Sequence, residues 1–347
     1  MNITAFSSKT NGLIPEGHNM AWEQFVLNSP KTLSFSQSNE KVILSESESD
    51  ITISSKVIKL VFDKSTGVLN EFVLDDENLL HKGNGFTPNF WRAPIDNDFG
   101  NDMHKRTQDW RYVTKHRQLN AISAKMDLGN AIVEVNYELI NASNQKMADF
   151  LMRYTINGEG NILVYCELNK TGTNWAETPR IGLNIELNRN MEQLSWYGRG
   201  PFESYWDRKT GAPIGIYNGS VSDQYWAYIR PQENGNKTDA RWIKLVNPVK
   251  GNGFLIKGIP TIDFSVHHQI MEDFESMERT DGRHRDGDIV KNRHTIDVQD
   301  RNLTSLNVDY RQMGLGGDNS WGARTHPEYI LNNQNYSFSF MISPVKK

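Results

Sequence analysis

Along most of this chain apolar and polar positions alternate every second residue. Val133, Val135, Tyr137 and Leu139 are separated by Glu134, Asn136 and Glu138, the pattern of a strand with one buried and one wet face. Met152, Tyr154 and Ile156 repeat it, then Ile162, Val164, Cys166 and Leu168, then Leu183, Ile185 and Leu187. Turn chemistry separates these runs at Asp63 to Gly67, Asp127 to Asn130 and Asn157 to Asn161. Short strands joined by such turns predict hairpins, and hence an all-β fold with an antiparallel sandwich or barrel.

Helical periodicity is sparse. Residues 104–118 predict one short helix and Gln269 to Met277 another, too little to cover a parallel sheet. Residues 1–27 read as strand, turn and strand, and two strands alone are at best marginally stable. Residues 28–52, rich in Ser, Asn, Glu and Lys, read as a connector or edge. The opening is therefore expected to be the tail of a preceding domain, with the main domain running from 53 to 347.

Composition narrows the picture. The 347 residues carry 38 Lys+Arg against 42 Asp+Glu, interspersed, which argues against a nucleic-acid footprint. No apolar run approaches the length that spans a bilayer, so no membrane partner is expected. The single cysteine, Cys166, cannot form an intrachain disulfide, so the fold does not depend on an oxidising compartment. The first residues lack the pattern of a signal peptide, which favours a cytoplasmic setting and leaves a periplasmic one open for a longer parent chain.

No self-sufficient catalytic set is visible. Gly314 to Gly317 lacks the strand–helix context of a dinucleotide site, and Asp96-Asn97-Asp98 does not continue as a calcium loop. The nine histidines show no tight metal spacing. Instead, aromatic residues stand in polar, glycine- and proline-rich stretches: Asn89 to Gly100, Trp196 to Arg208, Arg230 to Asn236 leading to Trp242, and Gly314 to Gly322. A flat apolar ring beside amides and carboxylates suits a sugar, with its C–H faces and hydroxyl edges. The same rings could instead plug the ends of a sandwich, with Arg and Asp satisfying buried loop backbone.

These stretches carry a resemblance. Phe90-Trp91-Arg92-Ala93-Pro94-Ile95-Asp96-Asn97-Asp98-Phe99-Gly100, Arg180-Ile181-Gly182-Leu183, Gly198 to Tyr205 with Asp207-Arg208, Pro231 to Gly235, and Gly314 to Trp321 occur in order over about 230 residues. The chain resembles the C-terminal part of the large bacterial β-galactosidases of glycoside hydrolase family 2. That resemblance implies a large antiparallel β supersandwich of the galactose-mutarotase-like type, preceded at residues 1–27 by the end of an Ig-like sandwich. It also implies that the catalytic glutamates, and the magnesium and sodium sites, belong to a (β/α)₈ barrel in other domains of the parent enzyme. Retaining hydrolysis needs two carboxyl groups about 5–5.5 Å apart, and no acid in this chain matches the family's catalytic motifs. This chain is thus expected to hold no catalytic residue, cofactor or metal, and not to hydrolyse galactosides alone.

By the same resemblance Trp321 matches a tryptophan at the active-site mouth, where its ring forms part of the platform for a galactoside, and Asp318, Asn319 and Ser320 shape its loop. Gly100 matches the hinge of a mobile loop, so residues 100–109 are expected to move, although Asn101 to Arg106 departs from the best-known relatives. Arg92, Asp96, Asn97 and Asp98, with Glu203, Tyr205, Asp207 and Arg208, read as scaffold of the rim. Two other readings stand beside this one. A free-standing aldose epimerase would need a positioned acid and base, usually His and Glu, and no histidine here lies in a loop resembling the epimerase motifs. A carbohydrate-binding or assembly module would use the aromatics for adhesion or for subunit contacts, as in a homo-oligomer.

Overall fold

Residues 1–27, 35, 38–172, 174–275, 292–319 and 322–346 are described by a computed structural model. It divides into two compact units, Met1–Ser34 and Phe35–Lys347. In the first, strand Asn2–Phe6 pairs antiparallel with Asn19–Gln24. Both strands are mostly exposed, as the sequence pattern of a bare two-stranded ribbon suggests.

The larger unit is all-β and antiparallel. Strand Asn130–Ile140 pairs with Lys146–Ile156, which pairs with Ile162–Lys170. Val133, Val135, Tyr137 and Leu139 fall on the buried face, as their alternation predicts. The turn at Leu128-Gly129 brings both central residues to positive φ (47° and 82°), the tight hairpin geometry that glycine permits. These strands belong to a twelve-stranded sheet among the described residues. The last strand, Asn335–Val345, lies inside that sheet between Ile162–Lys170 and Gly253–His267.

A second sheet of five strands spans residues 43–78 and shares the hydrophobic core with the first. Phe62 meets Tyr154 edge-on with ring centroids 5.0 Å apart, and Phe72 stacks on Phe254. Full burial of each such side chain contributes roughly 1.5–3 kcal/mol. Strand Ile43–Glu46 forms the outer edge of this sheet, and Ile51 and Ile53 of the next strand, Asp50–Ser54, are fully buried. Packing of the larger unit therefore begins before residue 53.

Helix is confined to short pieces. The single helix expected over 104–118 is divided into α2 (Met103–Arg106) and α3 (Gln108–Lys115), preceded by α1 (Asp96–Gly100). The break falls at Thr107, whose hydroxyl donates to the Met103 carbonyl at 2.8 Å. From Gln118 the chain is already a strand. Between Gln269 and Glu275 only one 3-10 turn forms, Met271–Asp273. The Asp273 carboxylate is committed to the Ile270 N–H and to Arg301, holding a loop corner. Residues 276 and 277, the end of that expected helix, lie outside the described residues.

Candidate functional site

Parts of all four aromatic loop stretches meet at one place. The first carries Arg92, which is fully buried and forms a bidentate pair with Asp98, at 2.5 and 3.1 Å. Burial works against the guanidinium charge, but Asp98 overrides it and the net shift of the Arg92 pKa is upward. Asp98 also accepts the Ile95 N–H at 2.8 Å, satisfying a free donor at the start of α1. Asp96 is exposed and pairs with Arg230 at 3.2 Å. The Arg230 guanidinium in turn lies 4.0 Å from the centre of the Phe99 ring.

In the second stretch Glu203 gathers donors. It accepts from Arg208 at 2.6 Å, from the Gly235 N–H at 2.8 Å and from the Tyr228 hydroxyl. Tyr205 is buried against Ile95 and Leu315, with the Arg208 guanidinium 5.3 Å from its ring centre. Burial pushes the Tyr205 phenol well above its ordinary pKa, and its hydroxyl has no hydrogen-bond partner among the described residues. Asp207 accepts the Gly316 N–H at 2.8 Å, tying this stretch to the glycine-rich loop.

That loop is seated by close backbone approach. A Cβ on Gly314 would stand 2.6 Å from the Asp207 carboxylate, and one on Gly322 (φ +98°) would stand 2.2 Å from the Gly100 carbonyl oxygen. A side chain fits neither position, which explains the glycines. Asn97 approaches Gly317, and the Asn101 amide donates to the Ala323 carbonyl at 3.4 Å. Asn319 accepts the Ala323 N–H at 3.2 Å, and Asp318 pairs with His326 at 2.5 Å. Ser320 and Trp321 lie outside the described residues. Gly317 and Gly322, on either side of them, approach the α1 corner at Asn97 and Gly100.

Residues 100–109 are anchored at several points. Met103 and Thr107 are fully buried, and Arg106 reaches Glu177 and the Asn101 carbonyl. The Trp110 indole donates to the Ala176 carbonyl at 3.0 Å. Displacing the segment around Arg106 would break these contacts.

Beneath the rim lies a centre that sequence reasoning did not assign. Arg180 is buried, donates to Glu233 at 3.1 Å and stands 3.2 Å from Asp309 without aligning as a hydrogen bond. Asp263 opposes Asp309 on the neighbouring strand. Two buried carboxyl groups, Glu233 and Asp309, thus share one guanidinium, with Asp263 a third buried carboxyl beside Asp309. Burial disfavours the charged forms of nearby Lys237, lowered to about 8, and His267, lowered to about 3. Burial is also the main force raising Asp309 to about 8 and Asp263 to about 7, with Arg180 opposing the first and Arg311 the second. The Asp239 and Asp263 charges add to the upward shifts, while Lys209 opposes the shift at Asp263. An acid inside each of the apolar runs Ile262-Asp263-Phe264 and Val308-Asp309-Tyr310 was the sequence signal for this centre.

A pH dependence follows. Folded Asp309 keeps its proton up to about pH 8, whereas the unfolded carboxyl releases it near 3.8. Its favourable contribution is full below the unfolded value and is lost as pH rises towards 8. Asp309→Asn is expected to flatten the fall in melting temperature between pH 5 and about 8. An unchanged slope in thermal melts of the variant would remove Asp309 as its source.

Among the described residues no group of three or more His, Cys, Asp or Glu side chains is placed to hold a metal ion. No described helix is long and apolar enough to cross a membrane. The family described as "Beta galactosidase small chain" matches residues 54–342. The chain belongs to that family. It is similar to a β-galactosidase of Priestia megaterium, 34% identical over 340 residues, covering 97% of this chain and 31% of that protein. A β-galactosidase of Pseudoalteromonas haloplanktis is 29% identical over 344 residues, covering 94% of this chain and 30% of that protein. The small-chain sequence thus spans about a third of the length of these relatives. Among solved structures, a galactose 1-epimerase from Lactobacillus acidophilus NCFM covers 89% of this chain and 99% of its own, with a TM-score of 0.48 and 10% identity.

Proposed function

We propose that this chain is the non-catalytic C-terminal part of a β-galactosidase, an enzyme hydrolysing terminal β-D-galactosides such as lactose. In this reading it completes the rim of an active site whose glutamates, magnesium and sodium belong to a (β/α)₈ barrel outside the chain. The observation that supports the proposal is the convergence of Asn97–Asn101 and Asp207 with Gly316, Gly317, Gly322 and Ala323 at one corner. A loop pinned on both sides can present an aromatic ring in a set position, which is what stacking on a sugar face requires. Asp318, Asn319 and Ser320 shape the loop, while Arg92, Asp96, Asp98, Glu203, Tyr205 and Arg208 hold the rim in register.

The test has two arms. The isolated chain is expected to leave a chromogenic galactoside intact. In the full-length enzyme Trp321→Ala is expected to raise KM by roughly 5- to 150-fold, equivalent to about 1–3 kcal/mol of lost stacking, with a smaller change in kcat. Hydrolysis by the isolated chain, or an unchanged KM in the variant, would overturn the reading.

A further inference from the structure

Four large apolar side chains are exposed together beside this corner: Phe202 (51%), Trp226 (58%), Ile229 (86%) and Ile296 (80%). Hydrogen bonds join the segments that carry them. Glu203, next to Phe202, accepts from the Tyr228 hydroxyl, and the Tyr228 N–H donates to the Trp226 carbonyl at 2.9 Å. The Thr295 hydroxyl, next to Ile296, donates to the Tyr228 carbonyl at 2.7 Å. The Trp226 N–H is itself held by the Asn234 side chain at 3.0 Å. Exposed apolar residues elsewhere, such as Leu128 and Val249, stand at separate turns, where a single exposed residue is ordinary. A cluster on a backbone already fixed by hydrogen bonds is different: it offers apolar area with little ordering entropy left to lose.

We propose that these four residues form a docking face for an apolar surface of the remaining part of the longer β-galactosidase chain. The inference rests on the function proposed above and names the partner of the same rim. Two observations select this occupant. The face is continuous with the rim, because Arg230 follows Ile229 directly, pairs with Asp96 and lies over the Phe99 ring. The curated relatives also place about two thirds of their length outside the region matched here. An apolar centre bordered by Asp96 and the half-exposed Arg208 fits a partner surface with an apolar middle and a polar margin.

The experiment compares the full-length enzyme and the isolated chain, each carrying Trp226→Ser with Ile229→Asp. The isolated variant is expected to melt within about 2 °C of its parent, since both side chains are exposed. In the full-length enzyme the double variant is expected to be cut between this segment and the preceding domains at least about tenfold faster in limited proteolysis. Val249→Asp, at an exposed turn away from the face, should match wild type. Cleavage of the double variant at the wild-type rate would overturn the inference. So would an isolated chain that dimerises until the double substitution is made, assigning the face to a second copy, or a Trp226 shielded from solvent only while residues 276–291 are present. Failure of the functional reading gives another pattern: no galactoside hydrolysis by the wild-type full-length protein, with the proteolytic effect intact.

Discussion

Replacing Arg180 by alanine is expected to destabilise the larger unit by about 3–5 kcal/mol, because it leaves buried Glu233 and Asp309 without the guanidinium that stands between them. Glu233 would lose its 3.1 Å partner and Asp309 the cation standing 3.2 Å away. The penalty should grow from pH 6 to about pH 8. At the lower pH Asp309 holds its proton with or without Arg180, whereas towards 8 the parent begins to ionise it beside the guanidinium and the variant, its carboxyl pushed higher still, cannot. Adding Asp309→Asn to Arg180→Ala should recover part of the stability at the higher pH. Urea denaturation at both pH values measures all of these quantities, and a loss below about 1 kcal/mol would show that the guanidinium is not what holds this centre.

Arg92→Ala is expected to cost about the same, about 3–5 kcal/mol, through a more local route. The Arg92–Asp98 pair is almost completely buried, with side-chain exposures of 0% and 3%. Without Arg92, Asp98 still caps α1 through the Ile95 N–H but carries an unpaired charge in the interior. Asp98→Asn alone should also be harmful, since it strands the guanidinium, while Arg92→Met combined with Asp98→Asn should recover much of the loss. A coupling energy near zero in that double-mutant cycle would contradict the pairing. Because α1 carries Asn97 and Gly100, the Arg92 variant should also loosen the seat of Gly322. Faster hydrogen exchange at the Asn101 and Ala323 amides would report it.

The sheet was legible in the sequence because burial imposes a period of two, and Val133 to Leu139 or Ile162 to Leu168 obey it without interruption. The helical segment was less legible because its break at Thr107 leaves no mark in the spacing of apolar residues. The start of the larger unit was hidden for a similar reason. Gly158 sits in a turn that the sequence announces, yet a Cβ there would stand 1.9 Å from the carbonyl oxygen of Glu40, in a stretch that composition alone makes look like a connector. The rim was legible as a set of loops, since the Gly, Pro and Asn around its aromatics are poor strand or helix formers. Its internal wiring was not, because Asp207 to Gly316 and Asn101 to Ala323 join residues more than one hundred positions apart. The Arg180 centre was visible only as acids interrupting apolar strands, a signal shared by many structural ion pairs.

The position of the final strand has a consequence for biogenesis. Asn335–Val345 fills the gap between two strands made much earlier, so on the ribosome the sheet stays split until this strand has emerged. Both neighbours then present unsatisfied edges that other nascent chains could join. Loss of Asn335–Val345 would therefore yield an aggregation-prone polypeptide in place of a slightly trimmed one.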